Sequence, residues 1–203
     1  LGDGCLSGGK PIFSCPDTDL EIMQKVESRL MPGYSLTRHD APCPSYYIKS
    51  PDNDNKYAQV IKAANLDVRS SEKEVPYQYL RGSVEQRTEL LRGLMDTDGS
   101  AAKNRVSFST TSKKLANGVV RLVQSLGGIA KINTYDRTDE QKSVEYDVNV
   151  RLNICPFSLK RKAKEWRPTI ISRYIESIEK VEDVSCTCIM VDNPTSLFVL
   201  ENH

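Results

Sequence analysis

The sequence has no long hydrophobic run. No apolar stretch in its 203 residues approaches the ~20 residues that a membrane-spanning helix needs, and no hydrophobic leader opens the chain. Hydrophobic residues make up 38% and charged residues 27% of the sequence, proportions typical of a soluble domain with a packed core. We therefore expect no membrane partner. Because the chain opens on Leu1 and not on an initiator Met, we expect a fragment of a longer protein.

Zinc-site patterns of cysteine and histidine are also missing. The six cysteines are scattered without a Cys-x-x-Cys pair, and there are only two histidines, so we expect free thiols in a reducing compartment.

The net charge of +1 gives no sign of a basic protein overall. Lys and Arg nevertheless crowd the stretch from Arg151 to Arg173, where Glu165 is the only acid. This pattern is typical of a solvated face or of a phosphate-binding edge.

The chain repeats itself at an offset of 95 residues. The aligned pairs are Asp3 and Asp98, Gly4 and Gly99, Phe13 and Phe108, Ser14 and Ser109, Leu20 and Leu115, and Gly33 and Gly128. After each Asp-Gly comes a strand-like run, then a helix with a regular apolar stripe that is expected to stop at a glycine, then two more strands. The first copy adds a helix in "NKYAQVIKAANL". The sequence predicts a duplicated α+β fold about a pseudo-two-fold axis.

The Asp-Gly ends of two such helices predict a cation site. If two parallel helices pack through a small residue, Gly93, their carboxyl ends bring Asp3 and Asp98 together. Two carboxylates and two negative dipole ends repel unless a positive charge lies between them. Mg²⁺ needs only one or two carboxylates plus phosphate oxygens, and carboxylate-held metals cleave phosphodiesters. The alternative is that Asp96 and Asp98 simply end a helix before a left-handed glycine.

The segment "LRGLMDTDG" resembles the second motif of the LAGLIDADG homing endonucleases, and "LGDGC" resembles the tail of the first. The stretch "KEVPYQYLRGSVEQRTELLRGLMDTDGS" is similar to members embedded in inteins, and "VSCTCIMVDNPTSLFVLENH" is similar to a C-terminal splicing motif of inteins. The resemblance implies two αββαββα-like units with curved antiparallel sheets over 1–178 (copies 1–83 and 84–178), followed by a partial splicing segment over 179–203. It implies an intein-borne, metal-dependent, site-specific double-strand DNA endonuclease.

The resemblance also assigns site residues. It places Mg²⁺ or Mn²⁺ on Asp3 and Asp98, with Gly2 and Thr97 beside them, and makes Lys73 and Lys162 the catalytic lysines. Lys162 is chosen although the offset from Lys73 points to Pro168. For each lysine a solvated surface charge is the alternative. Strand residues that suit bases and phosphates are Arg38, Lys49, Arg105, Lys131, Asn133, Arg137 and Arg151.

The carboxyl-terminal segment is expected to hold a strand, a turn at 192–194 and a second strand. Cys188 would act in acyl transfer, replace an acid, or be a buried strand thiol. Because the flanking splicing residues are absent, the chain is not expected to splice alone. It would act as a monomer, since the duplication supplies the whole site, and share the cytoplasmic location of a prokaryotic or viral host protein. A non-cleaving DNA-binding protein and a degenerate, inactive endonuclease remain the alternatives.

One further expectation concerns the helix at 84–97. If the helix that should pack against it is missing, the apolar face around Leu90, Leu91 and Leu94 has no cover, and exposed patches of that kind promote association. We would then expect the 203-residue segment to be unstable or aggregated by itself.

Overall fold

A computed structural model of the chain describes residues 1–52, 54–102, 105–138, 143–172, 174–192, 194, 195 and 198. Eight strands and six α-helices are assigned in these ranges, with short 3₁₀ turns at Asp17–Asp19 and Ser70–Glu72. In chain order they are β1 (Gly4–Ser7), β2 (Lys10–Ser14), α1 (Leu20–Glu27), β3 (Ser35–His39), β4 (Ser45–Lys49), α2 (Lys56–Ala63), α3 (Tyr77–Leu80), α4 (Val84–Asp98), β5 (Gly99–Ala102), β6 (Arg105–Thr110), α5 (Lys113–Ser125), β7 (Ile129–Tyr135), β8 (Glu145–Arg151) and α6 (Lys160–Ala163).

The duplication predicted from the sequence is confirmed in the two sheets. Their strand orders are β1-β2-β4-β3 and β5-β6-β8-β7, and every pairing is antiparallel. The register agrees as well, because Gly4 lies opposite Phe13 in the first sheet and Gly99 lies opposite Phe108 in the second. Both members of the second pair are 95 residues beyond those of the first. The α+β class and the duplicated architecture are therefore as expected.

The two helices that lie on the sheets differ in length. Helix α5 runs to Ser125 and is followed by Gly127 at φ 80°, the predicted left-handed cap. Helix α1 ends at Glu27, six residues before Gly33, so the expected longer helix is wrong. Pro32 accounts for the early end, since the residue before a proline is pushed out of the α region and Pro32 itself donates no hydrogen bond. Gly33, at φ 83°, belongs to the turn that follows.

The main hydrophobic core lies in the second copy. Phe108 is fully buried there between the sheet, α4 and α5. Leu91 and Leu94 are 1% and 2% exposed in the same core, so the expected uncovered face at these leucines is wrong. Val75, which precedes α3, also packs in this core. The segment before α3 is thus attached to the second copy, although its sequence lies in the first.

Gly93, within α4, and Gly99, directly after it, have different surroundings. A Cβ at Gly93 would meet no atom of the described residues outside its own helix within 4 Å, and the close approach of a second helix predicted there stays a prediction. A Cβ at Gly99 would lie 2.4 Å from the carbonyl oxygen of Met95. Gly99 has an extended backbone (φ −91°, ψ 156°) and begins β5. It is required by crowding and does not serve as the left-handed cap considered above.

The described residues beyond α6 form no helix or strand. The strand predicted around Cys188 is not observed, and this thiol is exposed. A lone segment has no neighbouring backbone with which to form a strand ladder, which accounts for the difference. Arg173, Asn193 and most of the second predicted strand lie outside the described residues. No helix in the described part of the chain is long and apolar enough to cross a membrane.

Candidate active site

Asp3 and Asp98 line one cleft of about 1040 Å³, together with Lys73 and residues of both copies. Asp98 is the last residue of α4, and Asp3 directly precedes β1. Burial raises the pKa of the Asp98 carboxyl, and the nearby charge of Asp3 raises it further. The duplicated chain therefore brings the two predicted aspartates close enough for their charges to interact.

Lys73 is 9% exposed and is aimed at the first aspartate segment. Its ammonium donates to the carbonyl oxygens of Gly2, at 2.7 Å, and of Gly4, at 2.9 Å. These two carbonyls lie immediately before and after Asp3. An ammonium carries three donors, and the third has no acceptor among the described residues.

Lys162 is 8% exposed and holds the second aspartate segment. The three N–H groups of its ammonium serve four carbonyl oxygens, those of Met95 at 3.0 Å, Asp96 at 2.6 Å, Thr97 at 3.2 Å and Gly99 at 2.6 Å, so at least one N–H is shared between two acceptors. A cation at this position also opposes the negative end of the α4 dipole. Burial lowers the pKa of Lys162.

The two lysines make equivalent contacts. Lys73 binds Gly2 and Gly4, and Lys162 binds the residues 95 positions later, Thr97 and Gly99. The lysines themselves are only 89 residues apart (162 − 73), which is why a fixed offset pointed to Pro168. The alternative of two solvated surface charges does not fit the burial of either side chain.

Asp96 has a different task from Asp98. Its carboxylate accepts hydrogen bonds from the backbone N–H groups of Ser158, at 2.9 Å, and Leu159, at 3.0 Å. It is 6% exposed and fastens the segment before α6 to α4. The motif thus uses its first acid to hold the lysine-bearing segment, while the second acid faces the cleft.

The donor set around the aspartates fits a hard divalent cation. The described residues contain no group of three or more His, Cys, Asp or Glu that could hold a metal, so two carboxylates are what the protein offers here. That number suits Mg²⁺, which completes its shell with water or phosphate oxygens. The carbonyls of Gly2 and Thr97 already accept from the lysines, but each carbonyl oxygen has a second lone pair. Burial and, after it, the nearby charge of Asp3 raise the pKa of Asp98, and a cation bound between the two carboxylates would relieve both effects.

Four predicted DNA-binding residues share one face of the second sheet. Residues directly opposite each other in an antiparallel pair point to the same side, and the register places Arg105, Lys131, Asn133 and Arg151 on one side. Arg105 is paired there with the buried Asp147 and donates to the amide oxygen of Asn149 at 2.6 Å. In the part of the chain that the structure describes, the other three side chains form no hydrogen bond or ion pair.

Arg137 lies just beyond β7 and pairs with Glu145 at 3.2 Å. Both residues also line the cleft that contains the aspartates.

The first sheet separates the two residues predicted for it. Lys49 lies opposite Ser35, on the side that Thr37 and Tyr47 share. Arg38 lies opposite Tyr46, on the other side, and its guanidinium binds Asp17 at 2.7 Å. Arg38 therefore faces away from the polar face that carries Lys49, and we remove it from the DNA-binding set.

The basic stretch between Arg151 and Arg173 is not a continuous phosphate-binding edge. Lys162 is buried against α4, and Arg161 binds the carboxylate of Asp19 at 2.5 and 2.6 Å. Arg167 donates to the carbonyl of Lys164 at 2.5 Å. Much of this charge serves internal contacts, which composition could not show.

Comparisons with known proteins agree with this arrangement. The family model of the LAGLIDADG-like domain matches residues 85–173. The replicative DNA helicase DnaB of Mycobacterium intracellulare is 39% identical over an aligned stretch of 137 residues, which covers 63% of this chain and 24% of the helicase. The chain thus spans about a quarter of that relative's length.

Two solved structures share the fold. The homing endonuclease I-DmoI in complex with DNA and Ca superposes with a TM-score of 0.55 at 13% identity, covering 79% of this chain and 86% of that chain. A structure of mesophilic I-DmoI variants gives a TM-score of 0.51 at 14% identity, covering 74% and 83%. The chain therefore has the fold of the LAGLIDADG homing endonucleases and carries a LAGLIDADG-like domain at residues 85–173.

Proposed function

We propose that this chain is the cleaving unit of a site-specific, divalent-metal-dependent double-strand DNA endonuclease carried by an intein. The observation that supports it most directly is the pair of aspartates, Asp3 and Asp98, each flanked by carbonyls that a buried lysine binds. The two strands of a duplex are related by a local two-fold axis. A pseudo-symmetric pair of Asp–Lys sites offers one site for each strand.

Asp3 and Asp98 would hold Mg²⁺ or Mn²⁺, with the carbonyls of Gly2 and Thr97 beside them. Such ions, when bound, activate water for attack on a phosphodiester and stabilise the leaving oxygen. The burial of Asp98 and the nearby charge of Asp3, which together raise the pKa of Asp98, support this assignment. Lys73 keeps one N–H free among the described residues and is suited to donate to a phosphate or to water. Lys162 donates to four carbonyls, so it acts chiefly through its charge and through the position it gives to Asp98.

Double-stranded DNA would lie over the polar sheet faces that border the cleft. Lys49 on the first sheet and Lys131, Asn133 and Arg151 on the second have no partner among the described residues and are free to contact phosphates and bases. Arg105 is held by the buried Asp147, which fixes its guanidinium on the same sheet face, where it would contact a base edge. Arg137 would add charge near the aspartates.

The intein assignment rests on the match to a DnaB helicase. This chain matches 24% of that protein, a proportion suited to an insertion in a host enzyme. The exposed segment around Cys188 would complete its strands only when paired with other parts of a splicing domain. In this proposal Cys188 contributes to splicing of the flanking host protein, and the duplicated endonuclease works as a monomer inside the host's cell.

The proposal is tested by cleavage. The full-length protein is incubated with supercoiled plasmid that carries the host gene without the insertion, in the presence and in the absence of excess Mg²⁺. Linear product should form only with Mg²⁺ and only from the plasmid with the uninterrupted gene. Asp98→Asn should abolish cleavage and leave binding of the same DNA largely intact, because it removes a metal ligand and not a phosphate contact.

The matched control is Asp40→Asn, which changes an exposed acid of the first copy that pairs with Arg38 and lies outside the cleft lining. DNA binding without cleavage by the unaltered protein would favour a non-cleaving regulator, and absence of both would favour a degenerate endonuclease. Full activity of Asp98→Asn would end the assignment of that residue.

A further inference from the structure

The segment that carries Lys73 is held by a residue of the second copy. The backbone carbonyl of Lys73 accepts a hydrogen bond from the hydroxyl of Ser112 at 2.5 Å, and Ser112 is fully buried. The same hydroxyl accepts from the N–H of Leu115 and caps helix α5. Two residues beyond Lys73, Val75 packs so closely on α5 that a Cβ at Gly118 would lie 2.8 Å from its side chain. The first lysine thus takes its position from a helix of the other copy.

The segment that carries Lys162 is held by a residue of the first copy. Arg161, its neighbour on α6, binds the carboxylate of Asp19 through two hydrogen bonds of 2.5 and 2.6 Å. The Asp19 side chain is 5% exposed, and its hydrogen bonds with Arg161 lower its pKa. A buried carboxylate bound bidentately by arginine is among the more directional contacts in proteins. Lys25 of the same copy also donates to Ser158 at 2.7 Å.

Asp19 and Ser112 lie at the starts of corresponding helices, although the 95-residue offset aligns Ser112 with Asp17 and Asp19 with Lys114. Asp19 is the N-cap residue of α1 and Ser112 is the N-cap residue of α5, the equivalent helices of the two copies. Each contacts the lysine segment of the opposite copy. Asp19 makes no side-chain capping hydrogen bond to its own helix, so its carboxylate is committed to the contact with Arg161.

We propose that Asp19 and Ser112 are positioning residues that form a crossed pair of clamps, each setting the site lysine of the opposite copy. The Asp19 clamp acts on Lys162 through Arg161, and the Ser112 clamp acts on Lys73 through its backbone. Each half-site is therefore built from both copies. The strand-cleavage test of this proposal rests on the proposed nuclease function, whereas the geometry of the clamps does not.

The first experiment measures the two strands separately. A duplex containing the uninterrupted site, with a different label on each strand, is incubated with the full-length protein and Mg²⁺. Asp19→Asn should slow cleavage of one strand by roughly 10–100-fold and leave the other within about threefold, since small misplacements of a catalytic group have effects of this size. Ser112→Ala should slow the opposite strand. Each variant should therefore accumulate a nicked intermediate, and the nick should lie in a different strand for each variant.

Two matched variants serve as controls. Asp17→Asn removes an acid that lies two residues from Asp19 but pairs with Arg38 inside its own copy, at an exposed position. Ser125→Ala removes a hydroxyl at the other end of α5 that binds the carbonyl of Leu122. Neither should change the ratio of the two strand rates. Equal slowing of both strands by Asp19→Asn and Ser112→Ala would show a general loss of structure and overturn the proposal.

Amide hydrogen exchange of the same proteins without DNA provides a readout that does not need cleavage. Asp19→Asn should speed exchange at residues 158–163 and leave residues 69–76 unchanged, and Ser112→Ala should do the reverse. If the unaltered protein cuts neither strand while exchange follows this crossed pattern, the nuclease function fails and the clamps stand. If exchange is unchanged in both variants, or both segments respond together, the clamps fail whatever the cleavage result.

Discussion

Replacing Lys162 by Met should destabilise the protein markedly, although the methionine nearly matches the lysine stem in size. The ammonium donates to four carbonyls, of which those of Asp96 and Gly99, both at 2.6 Å, are the nearest. A buried acceptor that loses its partner costs about 1–3 kcal/mol. A cation at a helix carboxyl end contributes up to ~2 kcal/mol more.

Part of this loss is recovered, because the variant no longer buries a charge. Burial lowers the pKa of Lys162, which shows that desolvation opposes the charged form. We therefore expect a net loss of about 2–3 kcal/mol in the free energy of unfolding, which corresponds to a fall in Tm of roughly 4–12 °C for a unit of this size. Urea and thermal unfolding of the full-length protein, followed by a probe in the two-sheet unit, measure both quantities.

Lys160→Met is the matched control. It removes the same charge from the same short helix α6, but Lys160 is exposed and its effect should stay within about 0.5 kcal/mol. If the two variants unfold at the same urea concentration, the four carbonyl contacts contribute nothing measurable. The argument that Lys162 fastens the end of α4 would then be wrong.

Three further predictions concern the cleft and the sheet faces. Without divalent cation, Asp98→Asn should raise the free energy of unfolding by about 1 kcal/mol, because it removes one of two neighbouring carboxylate charges. Added Mg²⁺ should stabilise only the unaltered protein, and equal stabilisation of both proteins in thermal unfolding would refute this. The pKa of Asp98 is raised, and only the ionised carboxyl binds a cation. Mg²⁺ affinity in calorimetric titrations should therefore weaken as the pH falls, beginning above the ordinary carboxyl pKa of 3.8. An affinity that stays constant down to pH 3.8 would contradict this. Lys131→Ala and Arg151→Ala should each lower the magnitude of the slope of log affinity for DNA against log salt by about 1. Arg105→Ala should lower it less, because Arg105 is paired with Asp147. Identical slopes for all three variants would count against the assigned roles.

The duplicated fold was readable from the sequence because its signals are local. An Asp-Gly step, an alternating strand and a capped helix recur at one offset. The pairing of β1 with β2 and that of β5 with β6 reproduce the same offset. Helix α1 was predicted too long because its apolar stripe continues past Glu27, where the coming Pro32 prevents a helix. The face of Arg38 was misjudged because sheet faces alternate with each residue, and a one-residue uncertainty in register reverses the answer.

The internal contacts of the site could not be predicted in the same way. Nothing local distinguishes Lys162 from its neighbours in "LKRKAKEW", yet one of these cations is buried on α4 and another binds Asp19, 142 residues earlier. Such pairings depend on how the two copies pack, and the periodicity of a single segment does not predict that packing. The contact of the buried Ser112 with the Lys73 backbone could not be predicted either, because in the sequence Ser112 has only the pattern of an ordinary helix cap.

The burial of both lysines explains how the chain keeps two aspartates in one cleft before any cation binds. Each lysine binds the carbonyls on either side of an aspartate, and the charge of Lys73 lowers the pKa of Asp98 against the opposing effects of burial and of Asp3. The two ammonium groups therefore balance the two carboxylates in formal charge. They bind backbone carbonyls and not the carboxylates of Asp3 and Asp98, which line the cleft. Positive charge placed in this way permits folding and still leaves the carboxylate oxygens available to a metal.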